Sequence, residues 1–182
     1  AMESLVDKGL TKSIGLSNCN SEQIQRIYNS ATIKPTVLQV ECHAYLPQYE
    51  LQELCQKLNI AFTAYSPLGC PGFPEFALNS WGVRDLEEPK LLEDRTLKEI
   101  AKQYKKSPAQ ILLRYLTQRG IVVIPKSSNP DRIKENIHIF DFVLENDDMK
   151  RMKSMSCGLR YITMTYWIGC EDHPEYPFKA PY

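Results

Sequence analysis

The chain has 182 residues, with 22 lysines and arginines balanced by 22 aspartates and glutamates, and is 43% hydrophobic. That length and apolar share suit one domain, or a piece of a larger one, with a sizeable buried core. Zero formal net charge gives no bulk attraction for nucleic acid or a membrane surface, so any anion site must be local. No signal peptide, basic targeting segment or membrane-spanning apolar run is present.

Cys19, Cys42, Cys55, Cys70, Cys157 and Cys170 are scattered without a C-x-x-C pair, which reads as free thiols in a reducing cytosol. Cys42-His43 is the one adjacent pair of candidate zinc ligands. Neighbours on a strand point to opposite faces, so it is a poor chelate and no metal site is expected.

Ala1 to Gly9 reads as the last turns of a helix ending at a glycine C-cap, so the sequence opens inside an element, as a fragment would. Thr11 to Leu16 then reads as a short strand, and Ser17-Asn18-Cys19-Asn20 as a polar loop at its C-terminal end. Asn20 with Gln23 predicts a capping box for a helix running to about Asn29. Strand Thr36–Glu41, helix Glu50–Lys57 closed by Asn59, and strand Ile60–Tyr65 continue the alternation. This is the βα rhythm of a parallel sheet.

Leu68 to Pro89 interrupts the rhythm with a long loop rich in glycine and proline. Phe73, Phe76 and Trp81 suit either a packed lid or a structural insertion. Leu97, Ile100, Ala101 and Tyr104 mark the next helix. Ser107-Pro108 caps another, which Gly120 ends.

Ile121 to Ile124 is a β-branched apolar run that predicts a fully buried strand, stopped by Pro125. Asn129 or Ser128 N-caps the following helix, with Pro130 at its first position. Backbone N–H groups at that helix start, flanked by Lys126 and Arg132, suit an anion equally as well as an ordinary solvated βα corner. A helix from Asn146 to about Ser154 and an irregular aromatic tail, Tyr161 to Tyr182, complete the chain. No sequence repeat appears beyond the βα period.

Polar loops after the strands' C-terminal ends, and the absence of a G-x-G-x-x-G fingerprint, favour a (β/α)8 barrel over a Rossmann sheet. With about four βα units the expectation is half of a TIM barrel plus an extended tail. Half a barrel leaves two sheet edges open, so the chain is expected to be part of something longer or to self-associate through those edges.

Several motifs give this α/β chain a family resemblance. Ile14-Gly15-Leu16-Ser17-Asn18, Gln39-Val40-Glu41-Cys42-His43 and Ala64-Tyr65-Ser66-Pro67-Leu68-Gly69 resemble the aldo-keto reductases. So do Ile124-Pro125-Lys126-Ser127 through Arg132, Glu135 and Asn136, and His173-Pro174-Glu175-Tyr176-Pro177-Phe178.

The resemblance covers the C-terminal half of such an enzyme, with residues 1–182 as a partial barrel, 68–89 as the insertion loop and 157–182 as a specificity-loop tail. It implies hydride transfer between NADPH/NADP+ and an aldehyde or ketone. Ser17, Asn18 and Gln39 would hydrogen-bond the nicotinamide carboxamide, and Tyr65 would stack on its ring. Ser66, Pro67, Leu68 and Gly69 would loop over the pyrophosphate. Lys126, Ser127, Ser128, Asn129 and Arg132 would hold the adenosine 2′-phosphate, favouring NADPH over NADH, with Glu135 and Asn136 facing the adenine.

Cys70 stands where serine is common, and Ala44 where proline is usual, which would loosen the loop after His43. The family's catalytic Asp, Tyr, Lys and His come from its N-terminal half, and His43, His138 and His173 match other positions, so no catalytic residue carries over. The chain alone is expected to be inactive, and a carbonyl substrate would bind only with the missing half. The alternative is a non-catalytic nucleotide-binding or dimerising half-barrel module.

Overall fold

The computed structural model describes residues 1–72, 75, 89–165 and 169–179. Its elements are α1 (Glu3–Asp7), β1 (Gly15–Ser17), α2 (Ser21–Ser30), β2 (Val37–Glu41), α3 (Tyr49–Lys57) and β3 (Ala61–Tyr65). A single 3-10 turn (Leu91–Glu93) follows, then α4 (Arg95–Tyr104), α5 (Pro108–Gln118), β4 (Val122–Val123), α6 (Pro130–Ile137) and α7 (Asn146–Ser154). The described strands share one parallel sheet in the order β1-β2-β3-β4. A doubly wound sheet reverses its strand order at a switch point, whereas successive units of a barrel do not. The observed order has no reversal.

The chain divides into two compact units. The first comprises Ala1–Glu41, Gln48–Ala64 and Ile162–Tyr182. Here β1 and β2 pair in parallel with Gly15 opposite Val37, Leu16 opposite Leu38 and Ser17 opposite Gln39. The strand expected from Thr11 starts only at Gly15. Thr11 Oγ1 donates to the Ser13 carbonyl at 2.9 Å, which closes a local turn in place of ladder pairing. The core contains Ile24 of α2, Leu38 and Val40 of β2, Leu51 and Cys55 of α3, and Phe62 of β3. α2 opens on the expected capping box, its Asn20 Oδ1 accepting from the Gln23 N–H at 2.9 Å and Gln23 Oε1 from the Asn20 N–H at 3.1 Å. Asn59 takes the left-handed conformation, φ 54°, just beyond α3.

The second unit comprises Cys42–Pro47 and Tyr65–Tyr161. α5 is its centre, with Ile111, Leu112, Leu113 and Leu116 fully buried. Ser107-Pro108 caps it as the sequence predicts, and Gln110 completes a capping box. The same Gln110 turns its Nε2 to the carbonyls of His138 at 2.9 Å and Glu135 at 3.3 Å. The start of α5 and the end of α6 are thereby tied together.

On α7, Asp148 is 5% exposed and accepts from Tyr104 Oη at 2.8 Å, Gln103 Nε2 at 2.9 Å and Arg151 Nη1 at 3.0 Å. A buried carboxylate needs such partners, since an unpaired charge in the interior is costly.

The expectation of a fully buried strand over Ile121–Ile124 is corrected. Only Val122 and Val123 pair. Ile121 is 2% exposed, but Val122 is 52% and Ile124 44% exposed. Successive side chains point to opposite faces of the sheet, and Val122 and Ile124 share the face left uncovered. The apolar run was a sound sign of a strand and a poor sign of its burial.

Residues 73, 74 and 76–88 of the long loop lie outside the described residues, and with them the packing expected of Phe73, Phe76 and Trp81. So do 166–168 and 180–182 of the tail. Among the described residues no helix is long and apolar enough to cross a membrane.

At Gly15 the β1 backbone lies close against β2. A Cβ there would sit 2.7 Å from the Val37 carbonyl oxygen and 3.1 Å from Val37 Cβ. Gly15→Ala should therefore splay β1 from β2 and destabilise the chain by about 1–3 kcal/mol, as overpacking does. Urea unfolding followed by circular dichroism would show a lower midpoint, and an unchanged midpoint would refute the close approach.

Candidate functional site

In the first unit, the register sets Ser17 opposite Gln39. Asn18 follows with φ 52° and donates its backbone N–H to the Gln39 carbonyl at 3.0 Å. Asparagine tolerates this left-handed backbone better than most residues. Ser17, Asn18 and Gln39, named from three separate positions in the sequence, are thus neighbours at one point of the sheet. Polar side chains carried on paired strands are held more firmly than on a free loop.

Two residues further along β2, Glu41 is fully buried. Its Oε2 accepts the Ile162 N–H at 2.9 Å, and its carbonyl accepts from Gln48 Nε2 at 3.0 Å. Sequence reading assigned Glu41 no role. A carboxylate at a strand's end gives no local hint that a distant segment will bring it a donor.

In the second unit, Tyr65 ends β3 and its carbonyl accepts the Cys42 N–H at 3.2 Å. Ser66 has φ 48°, and its carbonyl accepts the Gly69 N–H at 2.9 Å, while Pro67 and Gly69 form a bridge. Ser66 to Gly69 is accordingly a tight turn. Ser66 Oγ lies 3.3 Å from Cys70 Sγ, so the cysteine that replaces a common serine engages the turn through sulfur.

Gly69 has φ +74°, and a Cβ would meet Leu91 Cβ and Tyr161 Cε2 at 3.3 Å. Tyr161 is 3% exposed; its hydroxyl donates to the Pro89 carbonyl at 2.6 Å, and its ring lies 5.1 Å from the His43 imidazole. Tyr161, read in the sequence only as part of an aromatic tail, is the floor of this turn.

The loop after His43 is closed by local hydrogen bonds. His43 and Leu46 exchange backbone hydrogen bonds at 3.2 and 3.0 Å, and His43 Nδ1 accepts the Leu46 N–H at 3.2 Å, which leaves the ring proton on Nε2. Ala44 is fully buried. The loop is thus closed by packing of Ala44 and by the His43–Leu46 bonds, without a proline.

The start of α6 settles the choice of cap that the sequence left open. Asn129, not Ser128, is the N-cap, and its Oδ1 accepts from the N–H groups of Asp131 at 2.9 Å and Arg132 at 3.1 Å. Ile133 N–H goes to the Asn129 carbonyl at 3.0 Å, and Pro130 has no N–H to give. Every first-turn donor of α6 therefore has a partner within the chain.

What remains for an anion are side chains. Lys126 and Arg132 are exposed and join none of the ion pairs among the described residues. Ser127 Oγ accepts the Asn129 N–H at 3.1 Å, Ser128 is exposed, and Glu135 and Asn136 are half-buried.

Tyr45, in the segment Cys42–Pro47, donates its hydroxyl to Asp94 Oδ2 at 2.9 Å, and Asp94 Oδ1 caps α4 at the Leu97 N–H. Burial first, and the Asp94 carboxylate second, push the Tyr45 phenol up to about 12.

A folded-state pKa above the unfolded value, about 10, means this stabilisation is complete below that value and lost as pH rises through about 12. In an absorbance titration of tyrosinate, Tyr45→Phe should remove amplitude at the high-pH end, at about pH 12. Loss of amplitude at about pH 10 instead would contradict it.

Comparison with known proteins matches residues 1–156 to the Aldo/keto reductase family. The chain is 49% identical over 188 residues to "Aldo-keto reductase family 1 member A1" of Gallus gallus, covering 100% of this chain and 55% of that protein. It is 45% identical over 184 residues to "Aldo-keto reductase family 1 member D1" of Oryctolagus cuniculus, covering 100% and 53%.

Among solved structures, the aldose reductase from Schistosoma japonicum aligns with TM-score 0.84 and 43% identity, covering 100% of this chain and 52% of that one. The chain spans about half the length of the curated relatives it matches.

Proposed function

The chain belongs to the aldo/keto reductase family, and from that premise we propose that it is the cofactor-binding half of an NADPH-dependent carbonyl reductase. The observation that carries the reading is the β1–β2 register, which gathers Ser17, Asn18 and Gln39. A hydroxyl and two amides there offer the donors and acceptors that fix a planar carboxamide in one orientation. Tyr65 supplies a ring for stacking on the nicotinamide, and the tight Ser66–Gly69 turn covers the pyrophosphate.

Bound NADPH would supply a hydride for an aldehyde or ketone carbon. The residues of this chain bind and orient; none is assigned the proton that the carbonyl oxygen needs. In this reading the substrate binds together with the family's N-terminal half, and the setting is the cytosol. The purified chain should oxidise NADPH no faster than background with a carbonyl substrate. A rate well above background would overturn the division of labour.

Lys126 and Arg132, with the Ser127 and Ser128 hydroxyls, are the proposed hold on the 2′-phosphate. NADH lacks that phosphate, so the two cofactors isolate its contribution. Arg132→Ala, placed in the chain joined to the N-terminal half of a relative, should weaken NADPH by about 1–3 kcal/mol, the worth of a charge-assisted contact, and NADH far less. Fluorescence titration with both cofactors checks this, and equal losses would rule out the 2′-phosphate role.

A second reading, a non-catalytic module that pairs its sheet edge with another copy, draws on the exposed apolar Val122 and Ile124 of the β4 edge. Size-exclusion chromatography separates the two. A dimer that binds NADPH unaided would favour the module.

A further inference from the structure

Local preference is set aside at Gln48, which lies in the first unit. It stands before α3 with φ 55° and ψ 42°, a left-handed backbone that is unfavourable for a residue with a Cβ. It is the N-cap, yet its side chain makes no capping bond, where a serine or asparagine would. The residue is 2% exposed. Its Oε1 is buried without a hydrogen-bond partner among the described residues, and an acceptor so placed is destabilising. Departures of this kind collect where geometry serves something other than local stability.

The other end of the amide shows what it serves. Nε2 donates to the Glu41 carbonyl at 3.0 Å, and a carbonyl partner requires the nitrogen on that side. β1 and β2 pair from Gly15 opposite Val37 to Ser17 opposite Gln39, and the Gln39 carbonyl takes the Asn18 N–H at 3.0 Å. Two residues on, the Glu41 carbonyl points to the same side of the strand. β1 has already ended at Ser17. Gln48 therefore reaches in with a side-chain N–H where a longer β1 would place a backbone one.

From this substitution we infer that Gln48 is a positioning residue for the nicotinamide end of the cofactor, because its amide holds the end of β2 that carries Gln39. The last pair of a ladder frays most readily, and Gln39 belongs to the last β1–β2 pair. The bond at Glu41 lies beyond it and ties β2 to α3, whose Leu51 and Cys55 are in the core. Gln39 is thus set between two fastened points on its β1 side. The inference rests on the reading that Ser17, Asn18 and Gln39 orient the carboxamide, and adds what keeps the third of them in register with the other two.

Gln48→Met keeps the length of the side chain and removes the donor and the unpaired oxygen together, so the buried site stays filled. Amide exchange read residue by residue by NMR on the intact chain tests the tie without any nucleotide. The Asn18 N–H should exchange several-fold faster in the variant. The Ala61 N–H, donated to the Thr36 carbonyl at 2.8 Å, should keep its rate. An unchanged Asn18 rate overturns the proposal. So does an equal rise at both amides, which would make Gln48 a support of the whole sheet.

The cofactor is tested in the chain joined to the N-terminal half of a relative, titrated with NADPH and with adenosine 2′,5′-bisphosphate, which has no nicotinamide. Gln48→Met should weaken NADPH several-fold and leave the bisphosphate unchanged. Equal effects on the two ligands overturn the positioning role. Failure of the unsubstituted joined protein to bind NADPH overturns the cofactor reading and the nicotinamide role with it, whereas the exchange rates judge the tie at Glu41 by themselves.

Discussion

Gly15 lies against Val37 closely enough that a single methyl group would strike the Val37 carbonyl, and on that contact the register of β1 against β2 depends. A parallel ladder slipped by one residue would turn every side chain to the other face. Ser17 would then no longer stand opposite Gln39, and Asn18 would lose its bond to the Gln39 carbonyl. The capping box at Asn20 starts α2 immediately afterwards, so the strand, the polar turn and the helix are all indexed to the same glycine.

What the sequence disclosed, and what it hid, divides by distance along the chain. The caps at Asn20, Ser107 and Asn129 were legible because their partners lie two or three residues away. The βα rhythm was legible because apolar periodicity is local. The burial of Ile121–Ile124 was not, since a strand's exposure depends on which neighbours it acquires.

Gly69 against Tyr161, His43 against Tyr161, and Glu41 with Ile162 were invisible for the same reason: each joins segments far apart in sequence. The bonding of the α6 amides was hidden for a subtler cause. The asparagine that makes a good N-cap is also the group that consumes the amides an anion would have used.

Side-chain amides recur at the joints. Gln110 closes the cap of α5 and holds the end of α6. Gln118 both accepts from and donates to Leu144, as a strand neighbour would. Asn20 and Gln23 do the same for α2 and the tail. A neutral amide offers a donor and an acceptor without the desolvation cost of a charge, so it suits half-buried junctions where a lysine or glutamate would need a counter-ion.

The saturated start of α6 also has an evolutionary side. Backbone amides cannot be mutated away, so a phosphate gripped by them is a property of the fold. With those amides occupied by Asn129, the 2′-phosphate hold proposed above would rest on the side chains of Lys126 and Arg132, which face water. Such a preference fades with ionic strength, because exposed charges are screened within a Debye length of about 8 Å under physiological salt. One or two substitutions would suffice to erase or invert such a preference while leaving the sheet untouched.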